Sequence, residues 1–200
     1  ILAAVGYGIV HDQVTARVCV EYFTIGHPRI FATESPTLLA FVWGIVATWW
    51  VGLLLGALMA FAALRGPRPK RSARSLVHPL AILLVVMAVS SLAAGLVGYA
   101  LAANGVVVLV GQLAVDVPSD RHVPFLAVLW AHSASYCVGI VGGLVLASRV
   151  WRSRRHEPFG SPEALDTFVT ETRAVMREQG LAEASGLLER VQNTGYTSSS

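Results

Sequence analysis

Charge is what this sequence has least of. Lys and Arg number 15 and Asp and Glu 12 among 200 residues, 14% in all, where a soluble domain carries about 25%. With 54% of residues hydrophobic and a mean hydropathy of +0.61, this excludes a disordered chain and an ordinary soluble globule, and points to lipid as the solvent. Cysteine is nearly absent too. Cys19 and Cys137 form no CxxC pair, which argues against a thiol relay or a structural zinc site. Their spacing does not say whether they bridge, and two free thiols are the simplest reading. No GxxxxGK[ST], strand-borne GxGxxG or GxSxG occurs, so no nucleotide-binding or serine-hydrolase signature is present and the cofactor stays open. Residues 1–10 are apolar but lack a basic region before them and a small-residue cleavage site after them, so they do not read as a secretory signal. A chain that begins at Ile1 and stops within Thr197–Ser200 is expected to be a fragment, or processed at one or both ends.

What is present is a set of long apolar runs. Thr37–Leu64, Pro79–Ala103 and Val123–Ser148 contain no Asp, Glu, Lys or Arg, and each exceeds the roughly 20 residues that span a bilayer. The first of them would be about 42 Å long at 1.5 Å per residue, so it must tilt or project. Ile1–Val10 is too short alone and reads as the outer half of a first helix whose start is missing; an interfacial stub is the alternative. The predicted class is therefore all-α: an integral membrane bundle of about four spans over residues 1–156, with an outer polar cap at 11–36, and a cytoplasmic helical hairpin tail over 157–200.

The basic residues orient this bundle. Arg65, Arg68, Lys70, Arg71 and Arg74 lie between the second and third spans, and Arg149, Arg152, Arg154 and Arg155 follow the last. The opposite loops hold only Arg17, Arg29 and Arg121. Positive loops stay in the cytoplasm, which predicts N-terminus in and C-terminus in. The basic flanks read as topology signals rather than as a nucleic-acid surface, because they sit at span ends; the expected partner is the lipid bilayer, not a nucleic acid.

Small residues repeat at four-residue spacing as Gly52/Gly56, Ala94/Gly98 and Gly139/Gly143. Such faces let helix backbones approach closely in lipid. They serve either packing within one bundle, the favoured reading, or a homo-oligomer. Trp151, beside Arg149 and Arg152, fits the inner aromatic belt. Gly105–Val115 could extend the third helix, re-enter the membrane or form a strand. Pro124 suits the first turn of the fourth helix. In the tail, Ser161-Pro162-Glu163 reads as a helix start, with Leu165, Phe168, Val169, Val175 and Met176 at helical spacing. Gly180 reads as a stop before a second helix that includes Leu181, Leu187, Leu188 and Val191.

The densest polar run lies just beyond the first apolar segment: His11-Asp12-Gln13, Thr15, Arg17, Cys19 and Glu21-Tyr22-Phe23-Thr24. If His11 ends the first helix, the partial alternation of residues 14–22 predicts an extended, strand-like cap with Thr15, Arg17, Cys19 and Glu21 on its polar side. The His-Asp-Gln triplet, Thr15 and Glu-Tyr-Phe-Thr together resemble an uncharacterised family of bacterial multi-pass membrane proteins that carry this motif immediately after their first helix. The resemblance covers about fourteen residues and the multi-span layout. It implies a bacterial inner membrane and supplies no activity. Residues 162–196 are similar to a helix–Gly–helix segment of small bacterial proteins.

His132 is the strongly polar group of the fourth span, about 12 Å deep when counted from Pro124. Polar side chains at such depth usually face the bundle interior or a wet cavity. Ser135 and Tyr136 share its face at i+3 and i+4. Three roles compete: a hydrogen bond between helices, which is the commonest, a metal or cofactor ligand, and a proton relay. Imidazole with carboxylate suits zinc, iron or copper, but no HxxH, HxxxH or HExxH spacing supports a metal. The sequence leads to an ion- or small-ligand-binding cavity in the outer leaflet, lined by His11, Asp12, Gln13, Glu21, His132 and Tyr136. A metal-dependent membrane hydrolase or oxidoreductase using His11, Asp12, Glu21 and His132 is the second class. A membrane scaffold presenting its tail to a partner is the third.

Overall fold

The computed structural model describes residues 1–66, 70–154 and 162–178. Among these, every regular element is a helix: α1 (Leu2–Val18), α2 (Glu21–Thr24), α3 (Pro36–Val46), α4 (Trp49–Leu64), α5 (Ala73–Ala103), α6 (Gln112–Asp116), α7 (His122–Ser153) and α8 (Pro162–Glu178). The chain divides into two compact units, Ile1–Arg152 and Ser153–Ser200. Three stretches are long and apolar enough to cross a membrane: Pro36–Leu64, Ala73–Ala103 and Ser119–Ser153. Their outward faces carry Leu54, Val85, Val89, Leu92, Leu96 and Val141, all exposed. A soluble monomer does not leave so much contiguous apolar surface bare, so these faces suit hydrocarbon.

The strand-like cap is not formed. α1 runs unbroken through His11-Asp12-Gln13 to Val18, and Gly8, Asp12, Thr15 and Ala16 make up its buried face. Thr15 and Ala16 are adjacent and both buried while Arg17 is exposed, which is a helical pattern and not an alternating one. The helix ends at Cys19, whose backbone is extended, and one turn of α2 follows. Residues 105–115 neither continue α5 nor form a strand: the chain leaves α5 at Asn104, passes Gly105 and Gly111 at positive φ, and makes the short α6. Pro124 does lie in the first turn of α7. The third span starts earlier than expected, with Pro79 inside α5 and Ser72 accepting from the Ser75 backbone N–H at the start of that helix.

The first of the three apolar runs is a broken helix. The Thr48 hydroxyl donates to the Gly44 carbonyl, and Thr48 N–H turns to Ile45 O at 3.2 Å, so α3 and α4 meet at a tightened turn over Ala47–Thr48. Back-bonding of this kind bends helices. The bend lies where α1 and α3 touch. A Cβ on Gly8 would stand 2.7 Å from Gly44 O, and one on Gly44 would stand 2.6 Å from Ile9 Cα. Elsewhere the small-residue stripes pack inside the chain: Gly52 against Ala4, Gly98 against Trp130, Gly139 against Met87 and Gly143 against Leu55. Gly56 has no neighbour at its Cβ position. The Ser91 hydroxyl, which could have bonded within its own helix, instead donates to Ala131 O of α7 at 3.0 Å.

The larger core gathers Cys19, Tyr22, Phe23, Leu39, Trp43, Phe125 and Val128 around the α2 end of the bundle. A smaller one, Ala62, Ala63, Ala147 and Val150, lies at the other ends of α4 and α7, where Trp151 stacks on Phe61 at 5.9 Å. In the second unit α8 begins at Pro162 and ends at Glu178. The expected second tail helix, with Gly180 before it, lies outside the described residues.

Candidate ligand site

Two helices bring the polar groups together. α7 carries His132 ten residues in from its start, about 15 Å along the axis, and α1 lies against it with His11 and Asp12 adjacent in sequence. Asp12 and His132 are buried, at 5% and 6% exposure. His132 Nε2 stands 3.2 Å from Asp12 Oδ1. Its Nδ1 stands 3.0 Å from Val128 O of its own helix and 3.3 Å from His11 Nε2. Both imidazole nitrogens therefore lie within hydrogen-bond distance of an acceptor, Asp12 Oδ1 on one side and Val128 O on the other. Each buried polar side chain thus has a partner on the neighbouring helix, the arrangement that makes such groups tolerable in lipid.

A single metal ion would need a different use of the same atoms. One donor atom from each of His11, Asp12 and His132 lies within 4.8 Å of the others, close enough to converge on an ion. His132, however, points one nitrogen at each partner, so it must turn away from one of them before all three can bind one centre.

Other expected residues are divided by the structure. Tyr136 is on the site, its ring centroid 6.3 Å from that of His132. Gln13 turns away: its amide nitrogen donates to Thr37 O at 3.1 Å and its Oε1 accepts from Arg17 at 2.5 Å, which ties α1 to the start of α3. Glu21 does not join His132 either. It pairs with Arg121 at 3.1 Å and accepts from Cys19 Sγ at 3.3 Å, because α1 continues to Val18 and carries Glu21 past the site to the start of α7. Burial opposes the charge of Glu21, but its own backbone N–H, the Cys19 thiol and Arg121 outweigh it and lower its pKa. Burial, then the Glu21 carboxylate, pushes the Cys19 thiol up to about 12. Both cysteines are free, Cys19 buried and Cys137 exposed.

Two tyrosines complete the site without having been singled out in the sequence. Tyr7 donates to or accepts from Ser135 Oγ at 2.9 Å and stacks on His11 at 5.8 Å; its place four residues before His11 was the available signal. Tyr22, from the Glu-Tyr-Phe-Thr run, lies over His132 with ring centroids 4.5 Å apart. His27 is held by Tyr22 O at 2.7 Å and sits between Tyr22 and Trp43. His122 bonds to Val117 O at 2.9 Å and takes no part.

Below the histidines a cavity of about 420 Å³ runs between α1, α4, α5 and α7, with His11, Asp12, His132 and Tyr136 at one end and Leu55, Leu83 and Leu146 among its walls. Its volume lies within the range of small-molecule sites. Compared with family models, with curated proteins and with solved structures, the chain matches none.

Proposed function

We propose that this protein is a multi-pass membrane protein that binds a small ligand in a cavity between its helices, which begins at His11, Asp12 and His132 and reaches toward the Leu64 and Leu146 ends of α4 and α7, with those three side chains recognising the polar part of that ligand. One observation carries the reading: the intramembrane His132 meets Asp12 at 3.2 Å and His11 at 3.3 Å at the head of a cavity. A histidine that served only to bridge helices needs no cavity beside it. Four spans, with α1 as the first, and both termini in the cytoplasm complete the proposal, as does membership of the bacterial inner-membrane family that shares the His-Asp-Gln and Glu-Tyr-Phe-Thr motif. Native mass spectrometry of the protein extracted from its membrane tests it. A retained small-molecule adduct is expected in the wild type and not in His132→Ala. No adduct in the wild type, or the same adduct in both, defeats the reading.

The convergence of donor atoms within 4.8 Å favours a second reading, a transition-metal centre on the same three side chains and hence the metal-dependent enzyme class. Metal analysis separates the two. A stoichiometric metal present in the wild type and lost from both His11→Ala and His132→Ala supports the metal centre; its absence from the wild type excludes it.

A further inference from the structure

α5 and α7 run side by side in opposite directions, Gly98 against Trp130 near one end and Gly142 under Leu83 toward the other. Besides the cavity at His132, a groove of about 540 Å³ is walled by these two helices alone. It faces outward, because Ile82, Val86, Val141 and Val145 on its walls are exposed. It runs from Val86 and Cys137 at one end to Pro79 and Arg149 at the other. Cys137 lies near the middle of α7 and Arg149 in its last turns, about 18 Å apart at 1.5 Å per residue. That is close to one leaflet of a bilayer core roughly 30 Å thick. Among the described residues that line it, Cys137 and Arg149 are the polar side chains; the others are Pro, Gly, Val, Ile and Leu. A hydrocarbon trough one leaflet long, open sideways and ending at a guanidinium, matches one acyl chain of a phospholipid and the phosphate above it.

The charge at that end restricts the head group. Arg149 is exposed, and Arg152, also exposed, follows three residues on along the same side of α7. Neither wall helix carries a carboxylate: no Asp or Glu occurs between Glu34 and Asp116, or between Asp120 and Glu157. The groove therefore ends in positive charge that its own walls do not neutralise. A guanidinium fork matches two phosphate oxygens at once. A zwitterionic head would set its own cation against the two arginines, whereas a head of net negative charge would not. Basic pockets between membrane helices on the cytoplasmic side hold anionic heads in this way.

We propose that the α5–α7 groove is a binding site for an anionic phospholipid of the leaflet that Arg149 borders, the cytoplasmic one in the orientation given above. One acyl chain lies along the groove and the phosphate meets Arg149. Leu83 and Leu146 wall both this groove and the cavity at His132, but no residue of the His132 site takes part, so the inference stands or falls apart from the ligand-binding reading.

The test uses the full chain in phosphatidylcholine nanodiscs that contain a trace of phosphatidylglycerol or of phosphatidylcholine with a diazirine in one acyl chain. Crosslinked peptides are read by mass spectrometry. The phosphatidylglycerol probe should label Pro79–Val86 and Cys137–Arg149 about five-fold more than the phosphatidylcholine probe, a difference of about 1 kcal/mol. On α4 around Leu54, which is exposed and lies outside the groove, the two probes should label alike. Equal labelling of the groove by both probes, or the same preference at Leu54, overturns the proposal. Arg149→Gln should bring the groove ratio close to one, and Arg149→Lys should preserve it; a ratio that Arg149→Gln leaves unmoved refutes the role given to Arg149. Val141→Trp, at an exposed groove position, should fill the trough and cut the phosphatidylglycerol crosslink about five-fold with helicity unchanged. Undiminished labelling of that variant would place the chain elsewhere and defeat the proposal.

Discussion

His132 holds both ring nitrogens against acceptors, so replacing it strands the Asp12 carboxylate at 5% exposure with no proton donor in its place. Breaking a buried pair by removing one partner costs about 3–5 kcal/mol. His132→Ala should therefore lower the unfolding midpoint in detergent far more than Ser133→Ala, whose hydroxyl is exposed and bonds only to Leu129 O of its own helix. Equal effects of the two substitutions would show that the pair is not formed. Cys19 gives a second residue-scale expectation. Fully buried, with its thiol pushed up to about 12, it is protonated at pH 8. In a Cys137→Ser background it should resist maleimide until the protein is unfolded, so it is no reporter of topology; labelling of the folded protein at the rate of a free thiol would contradict its burial. Glu21 supplies a pH dependence. Its folded pKa lies below the ordinary value of 4.5, so its pairing stabilises the fold above that value and the contribution disappears as pH falls through the lower folded value. Arg121→Gln should flatten the acid side of the stability curve, and an unchanged acid side would exclude this pair as a source. At this scale His132 was legible because it is a lone polar group in an apolar run. Its true partner was not, since Asp12 and Glu21 are both acids of the same cap and only the length of α1 tells them apart.

The junction of α1 with the α3–α4 bend is the closest approach of two helix backbones that the glycines describe. Gly8 and Gly44 bring the two backbones together where the Thr48 hydroxyl has already claimed the Gly44 carbonyl. Neither backbone can yield as a flexible side chain would. Gly44→Ala should cost about 1–3 kcal/mol through forced separation, whereas Gly56→Ala, with no neighbour at its Cβ position, should be close to neutral. Equal unfolding midpoints for the two variants would argue against the close approach. The small-residue spacing that pointed to Gly52, Gly98, Gly139 and Gly143 was informative, because four-residue spacing puts such residues on one helix face whatever the fold. Gly8 and Gly44 lie in the same four-residue spacing, as Ala4/Gly8 and Ala40/Gly44, but the spacing does not say which two helices meet. The broken helix carries no sequence signal of its own: nothing in Ala47–Thr48 is a helix breaker, and the bend depends on a threonine hydroxyl bonding to its own helix.

For the whole molecule the testable quantity is orientation. In a chain with both native cysteines replaced, Glu34→Cys should react with an impermeant maleimide added to intact cells, and Lys70→Cys only once the membrane is opened. Both positions are exposed. The reverse pattern would invert the proposed topology. Scarce charge, long apolar runs and basic flanks determined by themselves that the chain is helical and suited to lipid, because hydropathy and length are properties of a segment taken alone. Only the tertiary structure decided which polar groups share a site. It carried α1 past His11 to Val18, sent Gln13 to Thr37 and Glu21 to Arg121, and set His11 and Asp12 against His132, some 120 residues away in the chain. That choice depends on which faces of two helices meet, and the meeting is set by backbone approach and hydrogen bonds between segments that no local pattern records.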